Sequence, residues 1–266
     1  MKRILITGGP TNEPIDEVMK ITNMSTGSLS LNLARRALQN GDFVCLIVTE
    51  SVTRSNLFER YKMAEADDLL VIPIETTADM YAALESQAET RTLKPYDTVI
   101  HASAVGDYKP QFSFRMEDLA AELTRVLQQA GPGSLGPADM ETLILSVLTS
   151  PRCKVNDSTK ISSYEPNLTV KLTLTTKLIS NLRGWFPSAT LIGCKLLENV
   201  TKEHLIDVAR KLCIKNNMDY ILANDLAELR KGYSTRHLVT SIGYTGISLS
   251  APGCPDLLDY ASDNWL

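Results

Sequence analysis

Arg3-Ile-Leu-Ile-Thr7-Gly8-Gly9-Pro10-Thr11 is answered, after a polar interval, by Ser25-Thr26-Gly27 and a helical pattern from Leu29 to Gln39. An apolar, β-branched run that stops at glycines reads as a buried strand, and small residues before a periodic segment read as a helix start. The same grammar repeats outward. Phe43 to Thr49, Thr98 to Ala102, Thr190 to Cys194 and Tyr220 to Ala223 are further strands, each running into small, polar or turn-forming residues. Ala78 to Gln87 and Lys202 to Asn216 are helical, the latter capped by Thr201 with Glu203 and His204 in its first turn. This alternation predicts an α/β fold with a doubly wound, mostly parallel Rossmann-like sheet.

Asn167 to Thr175 follows another rule. Leu168, Val170, Leu172 and Leu174 alternate with Thr169, Lys171, Thr173 and Thr175, the period of a strand with one wet face, and this predicts an antiparallel extension or dimerisation arm. Gly131 to Pro137 is too rich in glycine and proline for regular structure, so about 111–158 reads as an insertion or flap within a single domain spanning 1–266. The tail from Ser250 to Leu266 is too short and proline-broken to form a domain.

With 266 residues, 44% of them hydrophobic and 22% charged, the chain can bury a sizeable core. A net charge of -4 and a pI near 5.5 exclude a broad basic surface, so nucleic acid is not an expected partner, and a phosphate-bearing ligand must meet a few placed cations. Cys45, Cys153, Cys194, Cys213 and Cys254 are odd in number, widely spaced and without a CxxC pair, which suits a reducing cytoplasm rather than a disulfide framework or structural zinc. No run approaches the roughly 20 apolar residues that span a bilayer, and Ile4 to Ile6 is too short for a signal-peptide core, so no membrane address is expected.

Ligands of open parallel sheets collect beyond the carboxyl ends of the strands. The residues there are Gly8, Gly9, Pro10 and Thr11; Glu50 and Ser51; Ser103 to Asp107; Lys195; and Asn224 with Asp225. Backbone donors, cations, carboxylates and an amide in one place suit a nucleoside triphosphate with its metal. Ser25, Thr26 and Gly27 form either a phosphate cradle at a helix N-terminus or a plain helix cap. A nicotinamide- or flavin-dependent oxidoreductase is the natural competitor. Yet Asn12 and Pro14 stand where a TGxxxGxG loop needs glycine, none of the 9 tyrosines has a lysine four residues later, and no GxxxxGK[ST] loop is present.

Thr7-Gly-Gly-Pro-Thr-Asn-Glu-Pro-Ile-Asp16, followed by Ile21-Thr-Asn-Met-Ser-Thr-Gly27, resembles the signature of the phosphopantothenate-cysteine ligase (phosphopantothenoylcysteine synthetase) family. Later blocks agree in order: His101-Ala-Ser-Ala-Val-Gly-Asp-Tyr-Lys-Pro110, Lys160-Ile-Ser-Ser163, Leu191-Ile-Gly-Cys-Lys-Leu-Leu197 and Ile221-Leu-Ala-Asn-Asp-Leu226. The likeness covers about 1–110 and 159–227 and is nearest to the short, stand-alone bacterial form. It implies a homodimeric, Mg²⁺-dependent ligase. CTP or ATP activates the carboxylate of 4'-phosphopantothenate as an acyl-nucleotide, and L-cysteine then forms the amide of a coenzyme A precursor.

By this resemblance Lys160 binds the phosphates and supports acyl-nucleotide formation, and Asn23 helps convert the intermediate to product. Asp107 lies beside the triphosphate and positions Mg²⁺ or an incoming ammonium group, Ser25, Thr26 and Gly27 cradle phosphate, the main chain around Ala104 and Gly193 to Cys194 faces the base, Asn224 binds ribose or base, and Lys195 is a second phosphate cation. Departures from the pattern fall at Ser28 and Ser30, where lysine or histidine and a smaller residue are frequent, so the helix start is expected to be approached less tightly. Cys194 replaces a frequent phenylalanine, which leaves CTP and ATP both open. A nucleotide-binding relative that has lost catalysis is the remaining alternative.

Overall fold

The computed structural model describes residues 1–90, 94–131, 133, 135–155, 160–231 and 235–248. In chain order its strands are β1 (Arg3–Gly8), β2 (Asn12–Pro14), β3 (Lys20–Thr22), β4 (Phe43–Thr49), β5 (Leu69–Ile74), β6 (Thr98–His101), β7 (Tyr108–Arg115), β8 (Leu168–Leu174), β9 (Thr190–Leu197), β10 (Tyr220–Asp225), β11 (Thr235–Val239) and β12 (Tyr244–Ser248). Its α-helices are α1 (Ser28–Gln39), α2 (Glu50–Thr53), α3 (Asn56–Arg60), α4 (Thr77–Thr90), α5 (Met116–Ala130), α6 (Pro137–Thr149), α7 (Leu182–Trp185), α8 (Lys202–Lys215) and α9 (Leu226–Arg230). Two compact units emerge: Met1–Thr11, Asn23–Val105 and Thr176–Leu266 form the first, and Asn12–Thr22 with Gly106–Thr175 the second.

The first unit is built on an 8-stranded sheet of order β12-β11-β10-β9-β6-β1-β4-β5. Neighbours from β10 to β5 are parallel, while β11 and β12 run antiparallel at one end. Continuous apolar strands demand cover on both faces. Leu31, Leu33, Ala34 and Ala37 of α1 pack with Ile4, Ile6, Val44, Leu46 and Val48 on one face. Met80 and Leu84 of α4, Leu182 of α7, and Leu205, Ala209 and Cys213 of α8 pack with Leu5, Cys45, Ile47, Val99 and Ile221 on the other. The doubly wound fold expected from the sequence is therefore present. The expected helix Lys202 to Asn216 is α8, and the Thr201 hydroxyl accepts the His204 amide at its start.

The sequence reading passed over β5. Pro73 interrupts its apolar run, and proline cannot donate to a sheet ladder, but β5 lies at the edge of the sheet where the loss is tolerated. The antiparallel extension of this sheet is β11–β12 rather than the expected Asn167 to Thr175 segment.

That segment becomes β8 in the second unit, paired antiparallel with β7 in a separate ribbon. Leu168 and Val170 are partly buried, but the last two leucines are not. Leu172 and Leu174 are 42% and 64% exposed, while Lys171 and Thr173 are only partly so. A register shift between Pro110 and Phe112 sends Phe112 and Phe114 inward against Leu119 and Val147 of α5 and α6. The insertion at about 111–158 lies inside this unit and contains two regular helices. The glycines of this stretch fall at the junction of the two helices, with Pro137 as the first residue of α6, where a missing N–H costs nothing, and Pro151 follows the end of α6. Ser158, Cys254 and the tail from Ser250 lie outside the described residues.

Candidate active site at the switch point of the sheet

After β1 the chain builds β4 and β5 to one side, and later builds β6, β9 and β10 to the other. Loops leaving the carboxyl ends of β1 and β6 therefore diverge, and the crevice between them is where ligands bind in such sheets. Hydrogen bonds fix its walls. The Ala104 amide donates to the Gly9 carbonyl at 2.9 Å, and the Thr11 amide donates to the Ala104 carbonyl at 3.3 Å. Asn23 Nδ2 donates to that same carbonyl at 2.9 Å. Gly8, Gly9, Asn23 and Ala104, separated widely in sequence, thus meet at one point.

Ser25-Thr26-Gly27 leads directly into α1. The N-cap is Gly27 itself, in the left-handed region at φ 72°, and no side chain caps the helix. Ser25 Oγ and Thr26 Oγ1 accept the Gly27 and Ser28 amides only at 3.4 Å each, the outer limit of a hydrogen bond. First-turn amides without a side-chain cap keep donor capacity for an anion.

Ser30 corrects an expectation. It is 1% exposed and donates to the Gly27 carbonyl at 2.7 Å. A side-chain carbon at Gly8 would overlap its hydroxymethyl group. Ser30 therefore fills the close approach between α1 and β1 and does not stand in the path of a ligand. Gly8 is needed because the helix presses on it.

Across the crevice, Asn224 is 6% exposed and its Oδ1 accepts Arg236 Nη1 at 2.6 Å. Cys194, Asn224 and Arg236 alternate in phase with Ile192, Leu222 and Leu238, so they share the sheet face that α1 covers. Lys195 is in phase with Leu191 and Leu197 on the opposite face, and the strand does not bring it beside Cys194 and Asn224. Burial pushes the Cys194 thiol up to about 12 against the pull of Arg236, so it stays protonated and inert. Arg236 was missed by the sequence reading. It sits on a short strand whose apolar signal is confined to Leu238 and Val239. Its Nε is buried without a hydrogen-bond partner, and among the described residues its guanidinium has no carboxylate partner.

His101 closes β6, its Nδ1 lying 2.8 Å from Thr7 Oγ1. Burial lowers its pKa to about 4, leaving it neutral as a structural tie between β1 and β6. Ser103 Oγ, just beyond, is buried with no hydrogen-bond partner among the described residues.

Lys160 and Asp107 belong to the second unit. Lys160 is exposed, and the neighbouring Ile161 amide donates to Asp16 Oδ2 at 2.9 Å. The Asp107 carbonyl accepts the Thr175 amide at 3.0 Å. Among the described residues no three His, Cys, Asp or Glu side chains converge to hold a metal. A donor set of this size among the described residues fits Mg²⁺ carried mainly by phosphate oxygens and water, with no more than two such side chains. No helix among the described residues is long and apolar enough to cross a membrane. Cys45, Cys153, Cys194 and Cys213 are free.

Residues 1–117 match the DNA/pantothenate metabolism flavoprotein C-terminal domain family. The coenzyme A biosynthesis bifunctional protein CoaBC of Thermococcus kodakarensis is 28% identical over 225 residues, covering 85% of this chain and 41% of that protein. The chain thus spans about two fifths of the length of such curated relatives. A Cab2 mutant in complex with phosphopantothenate-cysteine shares the fold, with a TM-score of 0.59 at 16% identity over 95% of this chain and 82% of that one. The DNA/pantothenate metabolism flavoprotein of Streptococcus pneumoniae is 30% identical, with a TM-score of 0.68 and 93% of each chain covered. With that likeness along almost the whole length, and with a crevice built from the shared opening blocks, the chain belongs to the DNA/pantothenate metabolism flavoprotein C-terminal domain family.

Proposed function

We propose that this chain is a phosphopantothenate-cysteine ligase in coenzyme A biosynthesis, acting as one ligase domain through an acyl-nucleotide made from CTP or ATP. The observation that carries this reading is the switch-point crevice, where Asn23 is tied to Ala104 beside an α1 N-terminus left without a side-chain cap. The coenzyme A biosynthesis proteins among its relatives point to the same chemistry.

A substrate carboxylate must approach a triphosphate that is itself strongly anionic. The first-turn amides of α1, with Ser25 and Thr26, offset the charge on one phosphoryl group, and Lys160 offsets charge on the others. The carboxylate oxygen then bonds to the α-phosphorus as the bond to pyrophosphate breaks. In the second step the cysteine nitrogen bonds to the acyl carbon, loses a proton, and the nucleoside monophosphate leaves with the electron pair. Asn23, its amide oriented by Ala104, polarises the acyl group at this stage. Cys194 and the Ala104 main chain face the base, and Asn224, held by Arg236, takes the ribose or base. Mg²⁺, when bound beside Asp107, supplies further neutralisation of the phosphates. Lys195 is a weaker candidate for phosphate binding, given its position on the other sheet face.

The protein is further proposed to act in the cytoplasm as a homodimer. Tyr108, Leu172 and Leu174, exposed on the β7–β8 ribbon, are consistent with a strand arm, and sedimentation at working concentration should show a dimer. The activity is tested by pyrophosphate release with CTP and ATP in parallel. Release with phosphopantothenate before cysteine is added supports the acyl-nucleotide. NADPH binding without any nucleotide turnover would replace this reading with an oxidoreductase, and CTP binding without product would replace it with an inactive relative.

A further inference from the structure

The connection between β2 and β3 is closed by its own main chain, with the Ile15 and Asp16 amides donating to the Met19 carbonyl at 2.8 and 3.3 Å. Asp16 Oδ1 completes the turn by accepting the Val18 and Met19 amides at 2.8 and 2.6 Å. A turn of this kind needs one carboxylate oxygen. The second oxygen reaches a residue 145 positions along the chain and accepts the Ile161 amide at 2.9 Å.

The far side of that bond is the segment carrying Lys160. The Ile161 side chain is 4% exposed, so it anchors the backbone by burial as well. Beyond it Ser162 accepts the Tyr164 amide through its hydroxyl and the Glu165 amide through its carbonyl, and Glu165 pairs with Arg115 at 3.5 Å. Lys160 itself is exposed. A long, exposed lysine gains little from a wandering backbone, because holding its ammonium at one place costs entropy that a fixed Cα reduces.

We infer that Asp16 is a positioning residue, which pins the Lys160–Ile161 backbone to the β2–β3 turn so that Lys160 presents its charge to the nucleotide phosphates. This rests on the ligase reading for the role of Lys160. The Met19 amide first, then those of Ile161 and Val18, hold the Asp16 carboxyl below the usual carboxylate range, so the pin is ionised at neutral pH.

Asp16→Asn separates the two duties of this side chain. The amide oxygen still closes the turn, but its NH₂ now faces the Ile161 N–H, donor against donor. Hydrogen exchange read by mass spectrometry should show faster exchange at Ile161, with the β1 and β4 amides unchanged. CTP affinity, titrated without other substrates, should fall about tenfold. Asp16→Ser, which can close the turn but is too short to reach Ile161, should do the same. In a Lys160→Ala background Asp16→Asn should cost less than about twofold, because the two residues act as one. An equal loss in both backgrounds, or faster Ile161 exchange with unchanged CTP affinity, overturns the proposal. A wild-type chain that binds neither CTP nor ATP overturns the ligase reading instead, and the exchange measurement still decides whether Asp16 pins Ile161.

Discussion

In β4 the residues from Val44 to Val48 are all 0% exposed, whereas in β8 the leucines at 172 and 174 are 42% and 64% exposed. Both segments are rich in apolar residues, but one is covered by helices on both faces and the other lies in a ribbon that leaves one face to solvent. The difference teaches where the molecule obtains its rigidity. The sheet holds Gly8, Gly9 and Ala104 through a packed core and backbone hydrogen bonds, while the second unit holds the Lys160 segment through a carboxylate pin, the buried Ile161 side chain and the Arg115–Glu165 ion pair.

The largest expected effect breaks this comparison by cavity formation. Leu46→Ala should cost about 2–5 kcal/mol and Phe112→Ala about 3–5 kcal/mol. Hydrogen exchange should show the first lowering protection throughout the sheet, and the second lowering it only in β7, β8, α5 and α6. Collapse of sheet protection in Phe112→Ala would mean that the two units unfold as one.

Next come the residues charged with chemistry. Lys160→Ala should slow pyrophosphate release by about 10²–10³-fold, the range for losing one transition-state donor. Asn23→Ala should retain that release and lose a comparable factor in cysteine addition. Quenched-flow measurement of acyl-nucleotide and product distinguishes the two, and equal loss of both steps in both variants contradicts the division of roles.

A third test concerns His101, whose pKa falls from 6.5 to about 4 on burial. The unfolded chain takes up a proton that the buried ring refuses, so this stability is present above pH 6.5 and is lost progressively as pH falls towards 4. The loss is on the order of 3 kcal/mol. Thermal unfolding of His101→Asn should show a shallower decline than wild type in that window. Smallest is Ser30→Gly, which should cost about 1 kcal/mol through the lost hydrogen bond and the helix glycine. Calorimetric titration should find its nucleotide affinity within about twofold of wild type, since Ser30 faces Gly8.

These contrasts explain how far the sequence could be read. Strands buried on both faces must be apolar throughout, so β1, β4, β6, β9 and β10 stand out from the residues alone, as do the covering helices α1, α4 and α8. β5 was hidden by an edge proline, and β11 by a strand too short to show its period. The helices α5 and α6 were obscured by the glycine-rich junction between them. Within the candidate site, Gly8, Gly9, Asn23 and the α1 start were legible as a motif. Ser30 was misjudged because its direction depends on how closely α1 packs on β1. Arg236, and the reach of Asp16 to Ile161, are not legible in the sequence because a hydrogen bond across 12 or 145 positions leaves no local pattern.

Pyrophosphate release from CTP and from ATP, measured with phosphopantothenate present before cysteine is added, tests the central claim most directly. The account predicts a burst of pyrophosphate with accumulation of acyl-nucleotide, followed by turnover and nucleoside monophosphate when cysteine is supplied. Folded protein that releases no pyrophosphate from either nucleotide would contradict it.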